Sequence, residues 1–414
     1  MKEKVRSELN EYFPVHRVSS KNSKFEILKQ LLPTEFLLGV MERRRQDRVG
    51  GLSFSKGVNR HVTVKMSESV LWNMIAVKIH VYSRKFSMGG IDERVNRIVK
   101  ELKRINKDVY GGYLMRKLMD MFYLEVNSID EYQILEFMGN MFLKFGDYVS
   151  GDEKLFRYTG ASGFVRMVIN KPARLGLWMF QAAVRLKCGL PCIVYSRMHS
   201  SCMNTKKRIS CHDIVKYWGN LILDRGQNRE TVLVMDNYYL TEESRLWLRR
   251  HRIKYIASIS RVRFGSIVNS MERRLVKSGT HISAYNKKTN ESVTYCWASD
   301  NRIGKKVVLA NGFEVCIKKS EDAVIPLFDH YNVAFSGCDK FNWTMHGKSW
   351  PMKRRGDFRV GSDYWFTLIL IDCYHSWIDS GLLSDERDKV SWFKFCVQLS
   401  EEIVKETKVK STDV

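Results

Sequence analysis

Proline is scarce, six residues in 414, which excludes long proline-rich spacers. No low-complexity tract or internal repeat stands out, so a repeat array is excluded as well. No run approaches the ~20 consecutive apolar residues that cross a bilayer. The most apolar stretch, 364–377, is broken by Asp372 and His375 and reads as a buried helix. The opening MKEKVRSELN has no apolar centre of a secretory signal, so secretion and a membrane are not expected. Nine cysteines occur without a single CxxC pair; such scattered thiols fit the reduced core of a chain that is not secreted. His199, Cys202, Cys211 and His212 cluster in the sequence, yet their spacing fits no standard finger, and no zinc is expected.

Acidic residues are the last deficit. Lys and Arg number 69 against 45 Asp and Glu, a formal net charge of +24. Such an excess draws polyanions, and its clustering favours nucleic acid over a membrane surface. Arg43, Arg44 and Arg45 form one run, with Arg48 close behind. Lys353, Arg354, Arg355 and Arg359 form another, interleaved with Trp350 and Phe358. Cations mixed with aromatics suit backbone contact with some base stacking.

With 44% hydrophobic residues, the chain can bury two or three packed units at ~150 residues each. Residues 1–66 read as a basic, partly disordered arm, and 67–148 as a helical domain. There Ser67 caps one helix, Asp92 and Glu93 open a second, and Ile134, Leu135, Met138, Met141 and Phe142 mark a third. From 149 to 263 the pattern alternates between strand and helix. The run TVLVM at 231–235 has the profile of a strand buried on both faces. Residues 264–325 read as a β-rich insertion, and 326–414 as the mainly helical end of the core and a tail. The fold class expected is α/β with a mixed sheet.

Three aspartates occupy marked positions. Asp236 directly follows TVLVM, at the strand end where open α/β sheets place ligands. Asp152 reads as the start of the first strand, and Asp339 lies at or within a later helix. Each alone is compatible with a turn or a cap. Their flanks are more specific. Asp152 opens DExLxxxxG, closed by Gly160; NKPARLG follows at 170–176; then come MDNYYLT around Asp236, and YN with SGCD ending at Asp339. Further on stand KSWP and YWFTLILIDCYHSW.

In this order the motifs resemble those of piggyBac-type transposases over roughly residues 130–380. The resemblance implies an RNase H-like catalytic core in which Asp152, Asp236 and Asp339 hold two Mg²⁺ ions, with Mn²⁺ as a substitute. It implies cleavage and joining of double-stranded DNA, a homodimer, and a nuclear location. Lys171 and Arg174 would lie beside the site and contact phosphate. Where the family usually carries a fourth aspartate this chain has Asn342, whose amide offers oxygen without charge. Ser336 replaces a glycine of the family's GG pair, and the cysteine-rich C-terminal module does not follow Cys396. These departures support a rival expectation: a domesticated or decayed derivative that binds DNA without cutting it.

Overall fold

The computed structural model describes residues 15–49, 66–83, 91–122, 129–157, 165–167, 175–198, 209–226, 230–273, 280–297, 305–311, 331, 334, 337–342, 344–345, 360–381 and 390–408. Lys171, Arg174, Lys353, Arg354 and Arg355 lie outside them, as do the strand expected at 313–317 and Ser336. Arg44 and Arg45 lie within a described helix, but their side chains fall outside the description. The chain divides into two compact units: residues 1–17 with 138–346, and residues 18–137 with 347–414.

The second unit is helical. After a two-residue strand β1 (Val15–His16), which belongs to the other unit, come α1 (Lys24–Leu31), α2 (Thr34–Val49), α3 (Glu68–Ser83), α4 (Ile91–Lys103), α5 (Gly112–Met121) and α6 (Ile129–Asn140). Ser67 caps α3 as expected, its Oγ accepting from the Val70 N–H at 3.3 Å. From Val70 to Val81 nearly every α3 side chain is buried, which is why its apolar residues show no single stripe. α4 is amphipathic instead. Asp92 and Glu93 sit in its first turn, Lys100 and Lys103 in its last, which matches the helix dipole.

The stretch expected to be an arm is folded in part: Phe25, Ile27, Leu28 and Leu31 of α1 are core residues. Phe25 meets Trp72 edge-on at 4.8 Å, and the Trp72 indole donates to Thr34 Oγ1 at 3.1 Å. The chain returns to this unit at its end, with the last two helices packing on α1 and α3. Among the described residues no helix is long and apolar enough to cross a membrane.

The other unit is built on a nine-stranded sheet. β2 (Phe142–Lys144) pairs with β1, outside that sheet. The sheet comprises β3 (Tyr148–Arg157), β4 (Val165–Met167), β5 (Leu175–Arg185), β6 (Pro191–Met198), β7 (Val232–Met235), β8 (Lys254–Ser258), β9 (Thr280–Asn286), β10 (Glu291–Trp297) and β11 (Lys305–Asn311). The order runs β4, β5, β3, β7, β8, β11, β10, β9, with β6 also on β5. β3 and β8 both run parallel to β7; the other pairings are antiparallel. All four β7 residues are buried, as a strand covered on both faces requires.

Within the β-rich stretch, β11 pairs with β8 from Asn311↔Tyr255 to Val308↔Ser258 and continues the same sheet. One expectation changes here. Asp152 lies inside β3, four residues past its start at Tyr148. The strand extends upstream because Tyr148 and Val149 already pair with β7.

Helices α7 (Cys211–Arg225), α8 (Glu242–Arg250) and α9 (Arg261–Glu272) follow β6, β7 and β8 respectively. Ser210 forms a capping box with Asp213 at the start of α7. Trp218 of α7 packs flat against β3 at Gly151, where an added Cβ would stand 2.4 Å from the indole. Only glycine lets helix and strand approach so closely. The last two helices, in the helical unit, are α10 (Val360–Ser380) and α11 (Trp392–Glu406).

A buried ionic cluster ties the added strands to the sheet's centre. Arg245 of α8 grips Glu291 of β10 with two parallel bonds, 2.7 and 2.6 Å. The Tyr255 hydroxyl of β8 donates to the same carboxylate at 2.8 Å. Burial works to raise the Glu291 carboxyl, but the bonds from Arg245 and Tyr255 outweigh it and leave the group below its ordinary 4.5. A carboxyl lowered on folding adds stability above its unfolded value and loses it as pH falls through the folded one. Glu291→Gln is therefore expected to cost roughly 2–4 kcal/mol at pH 7. In urea melts its deficit against wild type should shrink towards pH 3; a constant deficit would mean that the carboxylate's charge is not what matters.

Candidate functional site

Alternation along the strands sorts the side chains of β3 and β7. Ser150, Asp152 and Lys154 share one face, while Gly151 and Glu153 share the other. The Glu153 face meets the helix layer. Gly151 lies under Trp218, and the Tyr239 hydroxyl donates to Glu153 Oε2 at 2.6 Å. Burial first, then the neighbouring Glu153 charge, holds the Tyr239 phenol well above its usual range. Glu153 is thus a structural partner of Tyr239.

The Asp152 face carries the site. Val232 and Val234 of β7, Ile256 of β8, and Val308 and Ala310 of β11 form a hydrophobic floor with Tyr331 and Ala334. Tyr331 and Ala334 cover this face, and residues 337–342 are helical. The cover sits close. Cys338 Sγ donates to the Ser150 carbonyl at 3.3 Å, and a Cβ added to Gly337 would stand 2.5 Å from Ser150 Oγ. Asp339 is the next residue along that helical turn.

The parallel register places the other two acids. Gly151 pairs with Met235, so Asp152 and Asp236 each stand one residue farther along neighbouring strands. Asp152 is buried, 6% exposed, and its Oδ1 accepts from the Glu153 N–H at 2.8 Å. Asp236 Oδ1 accepts from Ser258 Oγ at 2.6 Å and from the Asn237 N–H at 2.5 Å. Arg263 of α9 fixes the loop that follows, donating to the carbonyls of Asn237 and Tyr238, each at 2.7 Å.

Two neutral groups respond to these acids. Burial, chiefly, raises the Tyr331 phenol; a hydrogen bond with Ser258 opposes this, and the charges of Asp236, Asp152 and Asp339 add to it. Burial, then the Asp152 charge, holds the Cys338 thiol well above its ordinary value, with Asp339 contributing. Alternation from Asp152 also reaches Lys154, 4% exposed. Burial lowers its ammonium to about 7, and its Nζ donates to the Asn342 carbonyl at 3.4 Å.

Asn342 stands beside this cover with its side-chain Oδ1 buried and without a hydrogen-bond partner among the described residues. An amide carbonyl oxygen is a donor of the type that Mg²⁺ prefers. Among the described residues, however, no group of three or more His, Cys, Asp or Glu stands placed to hold a metal ion. The acids are neighbours, not a closed cage. Of the expected DNA-binding residues, Arg43 is half-buried on α2 in the helical unit. Tyr331, Cys338, Lys154 and Ser258 had not been singled out from the sequence. Ser258 and Lys154 were within reach of strand alternation; Tyr331 and Cys338 become site residues only once the cover is placed.

No family model and no curated protein sequence matches the chain. Among solved structures it is similar to the protein in a cryo-EM structure of a piggyBac transposase synaptic complex with hairpin DNA. The likeness covers 97% of this chain and 85% of that one, at a TM-score of 0.72 and 12% sequence identity. The chain is folded like a piggyBac transposase. The four motifs read from the sequence thus lie in a chain whose overall fold matches the family they resemble, at an identity too low for alignment alone to show it.

The close approach at Gly337 gives a direct test of how the cover holds Asp339 in place. Gly337→Ala is expected to destabilise the protein by roughly 1–3 kcal/mol, since the new methyl overlaps Ser150 Oγ. Adding Ser150→Ala should restore most of that loss in a double-mutant cycle of thermal melts. Additive losses would show that the two residues do not meet.

Proposed function

We propose that this chain is a transposase-like protein that cleaves and joins double-stranded DNA, with Asp152, Asp236 and Asp339 as its acidic triad. The observation that carries the reading is the parallel register that sets Asp152 and Asp236 side by side at the strand ends, with Cys338, the neighbour of Asp339, bonded to the Ser150 carbonyl on the same face. A mixed sheet with acids at that edge also supports an RNase H-like core. The solved neighbour is a transposase complex with hairpin DNA, and the net charge of +24 suits a polyanionic substrate.

The residues divide the work. Asp152 and Asp236 would share one divalent ion, and Asp339 with Asn342 Oδ1 would serve a second. When bound, two Mg²⁺ ions supply activation of the attacking oxygen and stabilisation of the leaving oxygen. Ser258 and the Asn237 N–H hold Asp236 Oδ1 and orient its carboxylate towards the site. Lys154 ties the cover to β3 through Asn342, and Cys338 packs the same turn onto Ser150. The triad repels itself without cations, which fits a set of acids that stay open until ions and DNA phosphate arrive together. A homodimer, as the family resemblance implies, would present two such sites to paired DNA ends.

One feature favours the rival reading of a DNA-binding derivative without catalysis. Asn342 stands where the family resemblance calls for an aspartate, so the site has one carboxylate fewer to neutralise two ions. A strand-cleavage assay separates the readings. With Mg²⁺ or Mn²⁺ and duplex carrying the element's ends, wild type should nick DNA, and Asp236→Asn should lower the rate by about 10³-fold or more. DNA affinity should stay within a few-fold. Wild type that binds but never cuts would establish the non-catalytic derivative.

A further inference from the structure

The opposite edge of the sheet carries a second concentration of charge. A cleft of about 770 Å³ opens where β7 and β8 begin, lined by Arg249, Arg250, Arg252, Lys254, Glu230 and Asn290 among others. Asp236 leaves the far end of β7, and a four-residue strand spans roughly 13 Å. The cleft and the acidic site are therefore separate places on one unit. Four cations face a single carboxylate in the cleft lining, and apart from Leu246 and Ile253 that lining is polar.

Ordinary helix chemistry explains only part of this. Arg249 and Arg250 occupy the last turn of α8, where cations complement the dipole. Arg249 also reaches Glu291 at 4.0 Å, and Lys254 pairs with Glu230. Arg252 lies beyond the helix, exposed, with φ of 55°. Glycine or asparagine is the usual occupant of such a left-handed position after a helix. Asn290, on the facing hairpin wall, is left-handed too, with φ of 53°, and exposed Lys287 and Lys288 precede it in the same turn. Among the described residues neither Arg250 nor Arg252 has a carboxylate partner. An arginine kept where glycine folds more readily, beside a second unpaired arginine, is a surface arranged for an anion.

We propose that this cleft docks the phosphate backbone of duplex DNA, a contact separate from the acidic site. The proposal rests on the DNA reading above. The cleft is open and most of the residues that line it are charged or polar, which suits a charged rod lying across it. It would position the duplex without reading its sequence. The strands β9 to β11 then have a role: their hairpin and the end of β11 build the wall that faces the arginines.

The test uses the full chain and a short labelled duplex, with anisotropy titrations across a salt series. Arg250→Gln/Arg252→Gln should flatten the slope of log K against log salt by about 2. It should also weaken binding by about tenfold at low salt. Arg252→Gly separates binding from folding: its melting temperature should hold or rise as the left-handed residue becomes glycine, while affinity falls. If wild type binds and the double variant keeps the wild-type slope and affinity, the cleft is not a DNA contact and the inference fails alone. If wild type does not bind duplex at all, the DNA reading itself fails and takes this inference with it.

Discussion

Parallel pairing of β3 with β7, in the register that sets Gly151 against Met235, is the constraint on which the rest of the structure depends. A shift of one residue would turn every side chain of a strand to the other face. Asp152 would then exchange places with Glu153 and face Tyr239 and the helix layer instead of the cover. The register is pinned from both sides. Trp218 occupies the space that only a glycine at 151 leaves open, and Ser150 meets Cys338 on the opposite face. The position of a carboxylate on β3 is thus decided by the packing of its apolar and small neighbours.

The cover segment completes the arrangement. Tyr331 and Ala334 pack on the hydrophobic floor, and Cys338, the neighbour of Asp339, bonds to the Ser150 carbonyl on the face that carries Asp152. Electrostatics there runs against the rest of the molecule. A chain of net charge +24 sets Asp152 and Asp236 side by side, on a unit that also buries a lysine of lowered basicity and an amide oxygen without a hydrogen-bond partner among the described residues. Mutual repulsion of this kind makes little sense for stability alone and is relieved by cations or by a protonated neighbour. The same excess of positive charge outside the site favours a polyanionic partner.

Much of this was legible in the sequence, and the reasons are local. TVLVM announced a strand buried on both faces, Ser67 announced the start of α3, and the mixed α/β pattern pointed to the mixed sheet. The fold likeness agrees with the motif resemblance built on Asp152, Asp236 and Asp339. Long-range relations were out of reach. Residues 264–325 gave alternating β patterns that identify strands but not their partners, so the pairing of β11 with β8 could not be read. The apolar helix α10 shows no preferred face, because it is buried nearly all round, and so its place among the N-terminal helices was not encoded in periodicity. Tyr331 and Cys338 carried no signal of their own; a buried tyrosine and a buried thiol look like core until the acids around them are placed.

We propose that Asp152, Asp236 and Asp339 serve to hold divalent cations. Calorimetric titration of Mn²⁺ into the protein with a short DNA duplex present tests this most directly, run on wild type and on Asp236→Ala. Metal uptake by wild type is expected to disappear in the variant, with both proteins keeping a cooperative thermal transition. No uptake by wild type would contradict it and leave a DNA-binding protein whose acids serve only its fold.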